Sequence, residues 1–144
     1  MPVSFREKVI EYFFKEIKEG RTPNPDILCN RDIKFGIFLQ RAIKDGADLI
    51  ATGHYARVDN KDKYYLLKGV DPLKDQSYFL CELTQDQLSK TLFPIGHLRK
   101  TEVRDIALKD KLPVANKKDS QGICFIGKIN VSKFLRENIE IKKG

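Results

Sequence analysis

The chain has 144 residues and a formal net charge of +7, with 41% hydrophobic and 33% charged side chains. This composition is typical of a globular chain with one domain or two small ones, and it excludes a disordered chain. No apolar run approaches the roughly 18 residues that a membrane span requires, and the N-terminus lacks the layout of a secretory signal. We therefore expect a cytoplasmic protein with no membrane partner.

The positive charge is concentrated toward the C-terminus. Residues 1–97 carry 15 basic and 14 acidic side chains, whereas residues 98–144 carry 12 basic and 6 acidic ones. A basic third beside a nearly neutral remainder favours a polyanionic partner, with RNA the leading candidate. A solvated lysine-rich face is the alternative that the charge leaves open.

Three cysteines stand at positions 29, 81 and 124. An odd and sparse count argues against a disulfide scaffold. The sequence contains no CxxC pair, and His54 and His97 form no short-spaced cluster, so we expect no structural zinc site. Cys81 is interpreted as a core residue.

The first 46 residues predict two helices separated by a stiff loop. The first helix begins at a capping box in residues 4–7 and ends at Gly20. Two prolines in residues 21–30 (RTPNPDILCN) exclude a helix there and favour extended backbone. Asn30 is expected to cap the second helix, which Gly46 ends.

Two consequences follow for the second helix. Its apolar positions that should face the core are Ile33, Ile37, Phe38 and Ala42. Cys29 would lie at the helix N-terminus, where the helix dipole favours a thiolate.

The next segment predicts an α/β architecture. Residues 47–53 are short, largely apolar and end in glycine, which indicates a buried strand of a parallel sheet. Residues 55–58 and 64–67 flank a polar turn and predict a hairpin. From residue 75 onward short helices are expected, including one with a capping box at residues 84–87. We place a boundary between an α/β portion and a small basic portion near residues 81–97.

Two segments of the first part carry residues that bind or react. Asp26 and Cys29 lie three residues apart in the proline-rich loop, so a carboxylate and a thiol can face one pocket. Gly53 and His54 follow the carboxyl end of the predicted parallel strand, where ligands bind in open α/β sheets. The alternative for the first segment is a proline turn with a half-buried cysteine. The alternative for the second is a common turn at the end of a strand.

Two later segments have the same character. One of them contains Lys74, Asp75 and Gln76, followed by Ser77-Tyr78-Phe79. These groups are suited to hydrogen bonding and stacking with a single-stranded nucleotide. An ordinary helix start is the alternative. Cys124 lies among lysines and glycines in residues 117–128, and neighbouring cations favour a nucleophilic thiolate. A basic surface loop with a buried cysteine is the alternative.

Taken in order, these segments resemble the tRNA-specific 2-thiouridylase family, called MnmA in bacteria and with a mitochondrial counterpart. The resemblance covers nearly the whole chain beyond the first helix. The matching runs are residues 20–34 (GRTPNPDILCNRDIK), 46–57 (GADLIATGHYAR), 68–80 (KGVDPLKDQSYFL), 92–96 (LFPIG) and 117–128 (KKDSQGICFIGK).

The resemblance implies a fold and a domain organisation. The fold would be α/β, a partial ATP-pyrophosphatase (adenine nucleotide alpha hydrolase-like) parallel-sheet domain followed by a small, mainly helical central domain. Residues 1–90 would be the C-terminal half of the catalytic domain, and residues 91–144 part of the central tRNA-binding domain. The family's Ser-Gly-Gly-Val-Asp-Ser phosphate loop and its C-terminal β-barrel are not in this sequence, so we expect an internal fragment that by itself neither binds ATP well nor turns over.

The resemblance also implies an activity and its partners. ATP, with Mg²⁺, would adenylate the C2 oxygen of the wobble uridine in the tRNAs for lysine, glutamate and glutamine, and a persulfide would then deliver sulfur to C2. A persulfide carrier protein would supply the sulfur. The location would be cytoplasmic, or mitochondrial for a eukaryotic member.

Roles of individual residues follow from the matching motifs. Cys124 would carry the persulfide, Cys29 would attack its inner sulfur to leave a transient Cys29–Cys124 disulfide, and Asp26 would act as general acid or base. Gly53 would contact ATP. The residues implied in contacts with tRNA are Asn24, Pro25 and Asp26 at the target base, and His54, Lys74, Asp75 and Gln76 elsewhere.

Three alternatives remain open. An iron–sulfur cluster, proposed for related thiolation enzymes, would use Asp26, Cys29 and Cys124 as ligands. A non-catalytic tRNA-binding fragment would keep the docking surface without the chemistry. Another ATP-pyrophosphatase, such as an amide-forming synthetase, would leave the cysteines and the basic C-terminal third unexplained.

Overall fold

The computed structural model describes residues 5–117 of the chain. These residues fall into two compact units, residues 5–29 and residues 30–117. The predicted capping box at residues 4–7 begins outside the described residues.

The first unit contains two helices. Helix α1 spans Phe5–Lys18, and Gly20 terminates it two residues later. The φ of Gly20, +75°, lies in the left-handed region that glycine adopts without strain. The backbone N–H of Arg21 then donates to the Glu16 carbonyl at 2.9 Å. The predicted end of this helix is confirmed.

The short helix α2 spans Pro25–Leu28 and corrects the prediction of a non-helical loop. Proline excludes a helix only in its interior, and at the first helical position its missing N–H costs nothing. Pro25 occupies this position, so the chain is already helical before Cys29. Cys29 itself has φ −58° and ψ −42°, and its N–H donates to the Pro25 and Asp26 carbonyls. The prediction that Asn30 caps the helix and that Cys29 lies at its mouth is therefore wrong.

The helix continues as a π-helical segment, Cys29–Phe38, followed by α3, Leu39–Lys44. Because π-type bonding runs from residue i to residue i+5, each turn takes up an extra residue and the inward face shifts. The buried residues are Phe35 and Leu39, whereas Ile37 and Phe38 are more than half exposed. The predicted inward positions Ile37 and Phe38 are thus corrected, while Ala42 does pack against the core.

A glutamine side chain stabilises the wide π-helical turns. Gln87 Nε2 donates to the carbonyl oxygens of Arg31 at 3.1 Å and Phe35 at 2.9 Å. Gln87 also closes the capping box with Thr84 at the start of α4, Gln85–Ser89. The predicted capping box is confirmed, and its glutamine also ties α4 to the π-helical segment.

The predicted parallel strand is confirmed in a shorter form. Strand β1, Ile50–Ala51, pairs in parallel with β4, Thr91–Leu92. The N–H of Ile50 donates to the Lys90 carbonyl at 2.9 Å, and the N–H of Thr52 donates to the Leu92 carbonyl at 3.0 Å. The predicted hairpin is also confirmed: β2, Ala56–Asn60, pairs antiparallel with β3, Tyr64–Lys68.

The core of the second unit lies between the helical segment and the strands. Its buried members are Phe35, Leu39, Ile50, Ala56, Leu80 and Phe93. Leu80 ends a 3₁₀ turn, Ser77–Leu80, and helix α5 spans Lys100–Lys109. Cys81, which follows the 3₁₀ turn, is exposed, so its interpretation as a core residue is wrong.

The backbone packs closely around the start of the hairpin. A Cβ added to Gly96 would lie 1.6 Å from the Ala56 carbonyl oxygen, and one added to Gly69 would lie 2.7 Å from the Tyr55 carbonyl oxygen. The N–H of Val70 also donates to the Gly96 carbonyl at 3.0 Å. These contacts hold the chain after β1, after β3 and after β4 together.

The predicted boundary between a catalytic domain (residues 1–90) and a central domain (residues 91–144) stays a prediction. Strand β4 follows it directly and pairs with β1, and Phe93 packs in the same core as Ile50. Within residues 5–117, no helix has both the length and the apolar character needed to cross a membrane.

Candidate functional site

The first part of the candidate site is the chain that leaves β1. Gly53 is exposed, and an added Cβ would meet Ile95 Cδ1 at 4.0 Å, an ordinary van der Waals distance. A ligand can therefore approach this backbone closely at the carboxyl end of a parallel strand. Gly53 is the predicted ATP contact, and its surroundings fit that role.

His54, the next residue, is held between two aromatic rings. Its ring centroid lies 5.8 Å from that of Phe35 and 6.1 Å from that of Phe93, and only 9% of the residue is exposed. Its Nδ1 lies 2.9 Å from Thr52 Oγ1. The imidazole therefore has a fixed orientation and one ring nitrogen engaged by a neighbour.

Burial lowers the pKa of His54 to about 4, and the nearby positive charge of Lys34 acts in the same direction. The ring is thus neutral at physiological pH. A neutral imidazole donates or accepts a hydrogen bond, but it does not attract a phosphate as a cation would. The predicted contact of His54 with tRNA stays a prediction.

The second part of the site is the segment that contains Lys74, Asp75 and Gln76. The Tyr55 N–H donates to Gln76 Oε1 at 3.0 Å, and the Gln76 N–H donates to the Tyr55 carbonyl at 3.2 Å. This two-way bond joins the segment to the residue that follows His54. The structure thereby brings the predicted residues Gly53, His54 and Gln76 into one region.

Asp75 shapes the same segment. Its Oδ1 accepts hydrogen bonds from the Ser77 hydroxyl at 2.7 Å and the Ser77 N–H at 2.9 Å, and these bonds hold the pKa of Asp75 below its usual value. Lys68 Nζ lies 3.9 Å from Oδ2. Asp75 therefore holds the first residue of the 3₁₀ turn, and the side-chain oxygen of Gln76 is engaged by the Tyr55 N–H.

The other predicted residues belong to the first unit. Pro25 is buried, Asn24 and Asp26 are partly exposed, and Cys29 is 6% exposed. Asp26 lies in the first turn of α2. Cys124 lies outside the described residues, so its predicted pairing with Cys29 stays a prediction.

Within the described residues, no group of three or more His, Cys, Asp and Glu side chains is arranged to hold a metal ion. The predicted iron–sulfur ligands Asp26 and Cys29 are among these residues, and the third, Cys124, is not. Neither Cys29 nor Cys81 forms a disulfide in this part of the chain.

Comparison with known proteins identifies the family. Residues 2–128 match the model of the tRNA methyl transferase HUP domain family. The chain belongs to this HUP domain family. Membership confirms the predicted α/β fold class with its parallel sheet.

The chain is also similar to curated bacterial members. It is 55% identical over 145 residues to a protein of Christiangramia forsetii, 57% identical over 139 residues to one of Alkaliphilus oremlandii, and 55% identical over 141 residues to one of Bacillus subtilis. Each of these is named tRNA-specific 2-thiouridylase MnmA. The alignments cover 96–97% of this chain but only 37–38% of those proteins.

Several residues of the candidate site are not apparent from the local sequence. Thr52, which fixes His54, and the rings of Phe35 and Phe93, which enclose it, become visible only when the strand, the helix and the segment after β4 come together. Asp71 was also missed, although Asp-Pro is a turn-initiating pair and Asp71 precedes Pro72 directly.

Proposed function

We propose that this chain is part of a tRNA-uridine 2-sulfurtransferase, which places sulfur on C2 of the wobble uridine in an ATP-dependent reaction. The observation that carries the proposal is the identity of 55–57% to proteins named tRNA-specific 2-thiouridylase, over nearly all of this chain. The site geometry supports it, because Gly53, His54 and Gln76 meet at the carboxyl end of a parallel strand.

In the proposed reaction Gly53 faces the nucleotide, and its open backbone leaves room for that contact. Bound ATP, with Mg²⁺, supplies activation of the uridine C2 oxygen, so that this oxygen departs with the adenylate. His54 contacts the RNA as a neutral hydrogen-bonding group, since its ring is uncharged at physiological pH. Lys74, Asp75 and Gln76 contact the tRNA beside it.

Sulfur transfer in the proposal uses the two cysteines. The terminal sulfur of a persulfide on Cys124 bonds to C2, and the Cys29 thiolate attacks the inner sulfur. The persulfide S–S bond breaks with its electron pair on the sulfur now attached to C2, and a Cys29–Cys124 disulfide remains. An external thiol reduces that disulfide before the next turnover. Asp26 exchanges the proton, and Asn24 and Pro25 lie against the target base.

The sulfur reaches Cys124 from a persulfide carrier protein, and the substrates are the tRNAs for lysine, glutamate and glutamine. The proposed location is the cytoplasm. Binding of tRNA is consistent with the net positive charge of the chain, since the tRNA backbone is a polyanion.

A chimera tests the proposal. In a Bacillus subtilis strain without its own 2-thiouridylase, this chain would replace the segment of that relative to which it aligns. We expect 2-thiouridine in the tRNA, measured by mass spectrometry of nucleosides. Cys29→Ser and Cys124→Ser should each abolish it, whereas Cys81→Ser is the matched control that should retain it because Cys81 is exposed and outside the site.

The second candidate function is tRNA binding without catalysis. It is favoured by the formal net charge of +7, which suits a polyanion such as tRNA and does not by itself require catalysis. A folded chimera that binds tRNA but gives no 2-thiouridine would favour this alternative and contradict the sulfurtransferase proposal.

A further inference from the structure

Asp71 is a buried carboxylate that the proposed reaction does not use. Only 7% of the residue is exposed. A buried carboxylate is costly unless hydrogen bonds or charges compensate it. Both of its oxygens are compensated here, each by a backbone N–H from a different part of the chain.

The first bond is local and the second is long-range. Asp71 Oδ1 accepts from the Leu73 N–H at 2.9 Å, which closes a turn at the start of the segment that leads to Gln76. Asp71 Oδ2 accepts from the Lys100 N–H at 2.8 Å, 29 residues further along the chain. Lys100 is the first residue of α5, whose leading N–H groups have no partner within the helix. Asp71 therefore caps α5 from a distant loop.

The two elements that Asp71 joins both carry cations, although residues 71–76 hold two aspartates beside one lysine. The loop carries Lys74, and α5 begins with Arg99 at its N-cap and Lys100, followed by Arg104 and Lys109. Arg99 and Lys74 act electrostatically on the carboxylate, and these charges add to the backbone hydrogen bonds that lower the pKa of Asp71. Lys74 and Arg99 are thus close enough to act on the Asp71 carboxylate, whereas the Lys100 ammonium lies over the Tyr55 ring, 5.7 Å from its centroid.

The other end of the same loop is also fixed. Gln76 is bonded in both directions to the backbone of Tyr55, and the Val70 N–H donates to the Gly96 carbonyl. Residues 71–76 are therefore held at one end by Asp71 and at the other by Gln76. If the hydrogen bond from the Lys100 N–H to Asp71 is lost, the loop remains bonded to the Tyr55 backbone through Gln76. It then no longer has a fixed position relative to α5.

We propose that Asp71 is a positioning residue for tRNA: it joins the loop of residues 71–76 and the start of α5 into one phosphate-binding surface. This inference rests on the proposed function, since it takes tRNA as the polyanion. Asp71 does not touch the RNA in this arrangement. It sets the spacing of cations that do.

The direction in which tRNA affinity changes when the negative charge of Asp71 is removed makes the inference testable. Removing a negative charge from a basic surface ordinarily tightens the binding of a polyanion. Asp71→Asn removes one negative charge, but Asn has a single acceptor oxygen and cannot accept both backbone bonds. The positioning role therefore predicts weaker binding where simple electrostatics predicts tighter binding.

The experiment uses the 144-residue chain and an unmodified glutamate tRNA transcript, with the dissociation constant measured by fluorescence anisotropy. Asp71→Asn should weaken binding by about tenfold, as expected for the loss of a hydrogen bond to a charged group. The matched control is Asp105→Asn, on the exposed side of α5, which removes the same charge and should leave binding unchanged or tighter. Both variants are measured well below their thermal midpoints, so that the folded fraction is equal.

Unchanged or tighter binding by Asp71→Asn would overturn the positioning role and leave the proposed function in place. Failure of the wild-type chain to bind tRNA would overturn both. If Asp71→Asn does not fold, amide hydrogen exchange of the wild-type chain decides, because coupling between binding and the Asp71 bonds is reciprocal. The Lys100 and Leu73 amides should then exchange more slowly with tRNA bound, and exchange that ignores tRNA would overturn the inference.

Discussion

Gln76 and Tyr55 exchange two hydrogen bonds across 21 residues of sequence: the Gln76 side chain accepts from the Tyr55 N–H at 3.0 Å, and the Gln76 N–H donates to the Tyr55 carbonyl at 3.2 Å. A side-chain amide here takes the place of a neighbouring strand. The pairing joins the segment after β1 to the loop before the 3₁₀ turn, directly after His54 in the chain.

The first prediction concerns this pairing. Gln76→Ala leaves the partly buried Tyr55 N–H without its acceptor, and we expect the free energy of unfolding to fall by about 1–2 kcal/mol in urea titrations. Binding of tRNA should weaken as well, because the loop loses its attachment beside His54.

Gln85 provides a matched control. It exchanges the same kind of bonds with the Tyr64 backbone, at 2.8 Å and 2.9 Å, but on the exposed hairpin. Gln85→Ala should lower stability by less and leave tRNA affinity unchanged. Equal losses of affinity in the two variants would contradict a local role for Gln76.

The second prediction concerns the pH dependence of folding. The pKa of His54 is about 4 in the folded chain, below the value of about 6.5 expected when unfolded. The unfolded state therefore binds a proton at a higher pH than the folded state does, and stability falls as pH drops below about 6.5. By pH 5 the loss should reach about 2 kcal/mol.

The measurement is urea unfolding between pH 7.5 and pH 5, above the range in which most carboxylates titrate. His54→Gln should flatten the curve in this range, whatever its effect on stability at pH 7.5. His97→Gln changes the other, exposed histidine and should keep the slope. A slope that survives His54→Gln would show that His54 is not held neutral by burial.

The third prediction concerns thiol reactivity. In a Cys124→Ser background two cysteines remain, Cys81 exposed and Cys29 only 6% exposed. A disulfide reagent such as Ellman's reagent should modify Cys81 quickly and Cys29 at least about tenfold more slowly, because Cys29 reacts only after local opening.

Adding Cys81→Ser should remove the fast phase and leave the slow one. Two fast thiols under native conditions would mean that Cys29 is accessible without opening. Slow reaction of Cys29 in the free chain, followed by acceleration with tRNA, would fit a thiol that becomes accessible when tRNA binds.

The fourth prediction concerns salt. If the basic C-terminal third binds tRNA phosphates, the logarithm of the association constant should fall linearly with the logarithm of salt concentration as counterions are released. Charge reversal at Lys117, which is exposed, and at Lys118, which lies outside the described residues, should weaken binding to all tRNAs alike and lower this slope. Affinity that is independent of salt between low and physiological ionic strength would contradict an electrostatic docking surface.

Local signals in the sequence were enough for several elements. Gly20 and Gly46 end helices because they adopt positive φ, and both do so in the structure. The apolar run before Gly53 and the polar turn of the hairpin predicted β1, β2 and β3, and the Thr84–Gln87 capping box predicted α4. Each of these depends on the chemistry of a few neighbouring residues.

One error came from a local rule applied too widely, since proline is tolerated at the first helical position, and another came from a distant contact. Two prolines suggested a loop, yet Pro25 starts a helix that continues through the π-helical segment, whose wide turns are held by Gln87 from α4. Its two hydrogen bonds reach carbonyls 52 and 56 residues away along the chain, and the π-helical turns that they hold shift which residues face the core. Nothing in the helical periodicity of residues 30–44 indicates it.

The sequence by itself determined the family, the α/β class and the order of the chemical motifs, because these depend on residue types and their spacing. Only the tertiary structure decided how the motifs meet: that His54 is neutral between Phe35 and Phe93, that Gln76 is bonded to Tyr55, and that Asp71 caps a helix 29 residues away. Burial and long-range hydrogen bonds set these properties, and both arise only when segments far apart in sequence pack together.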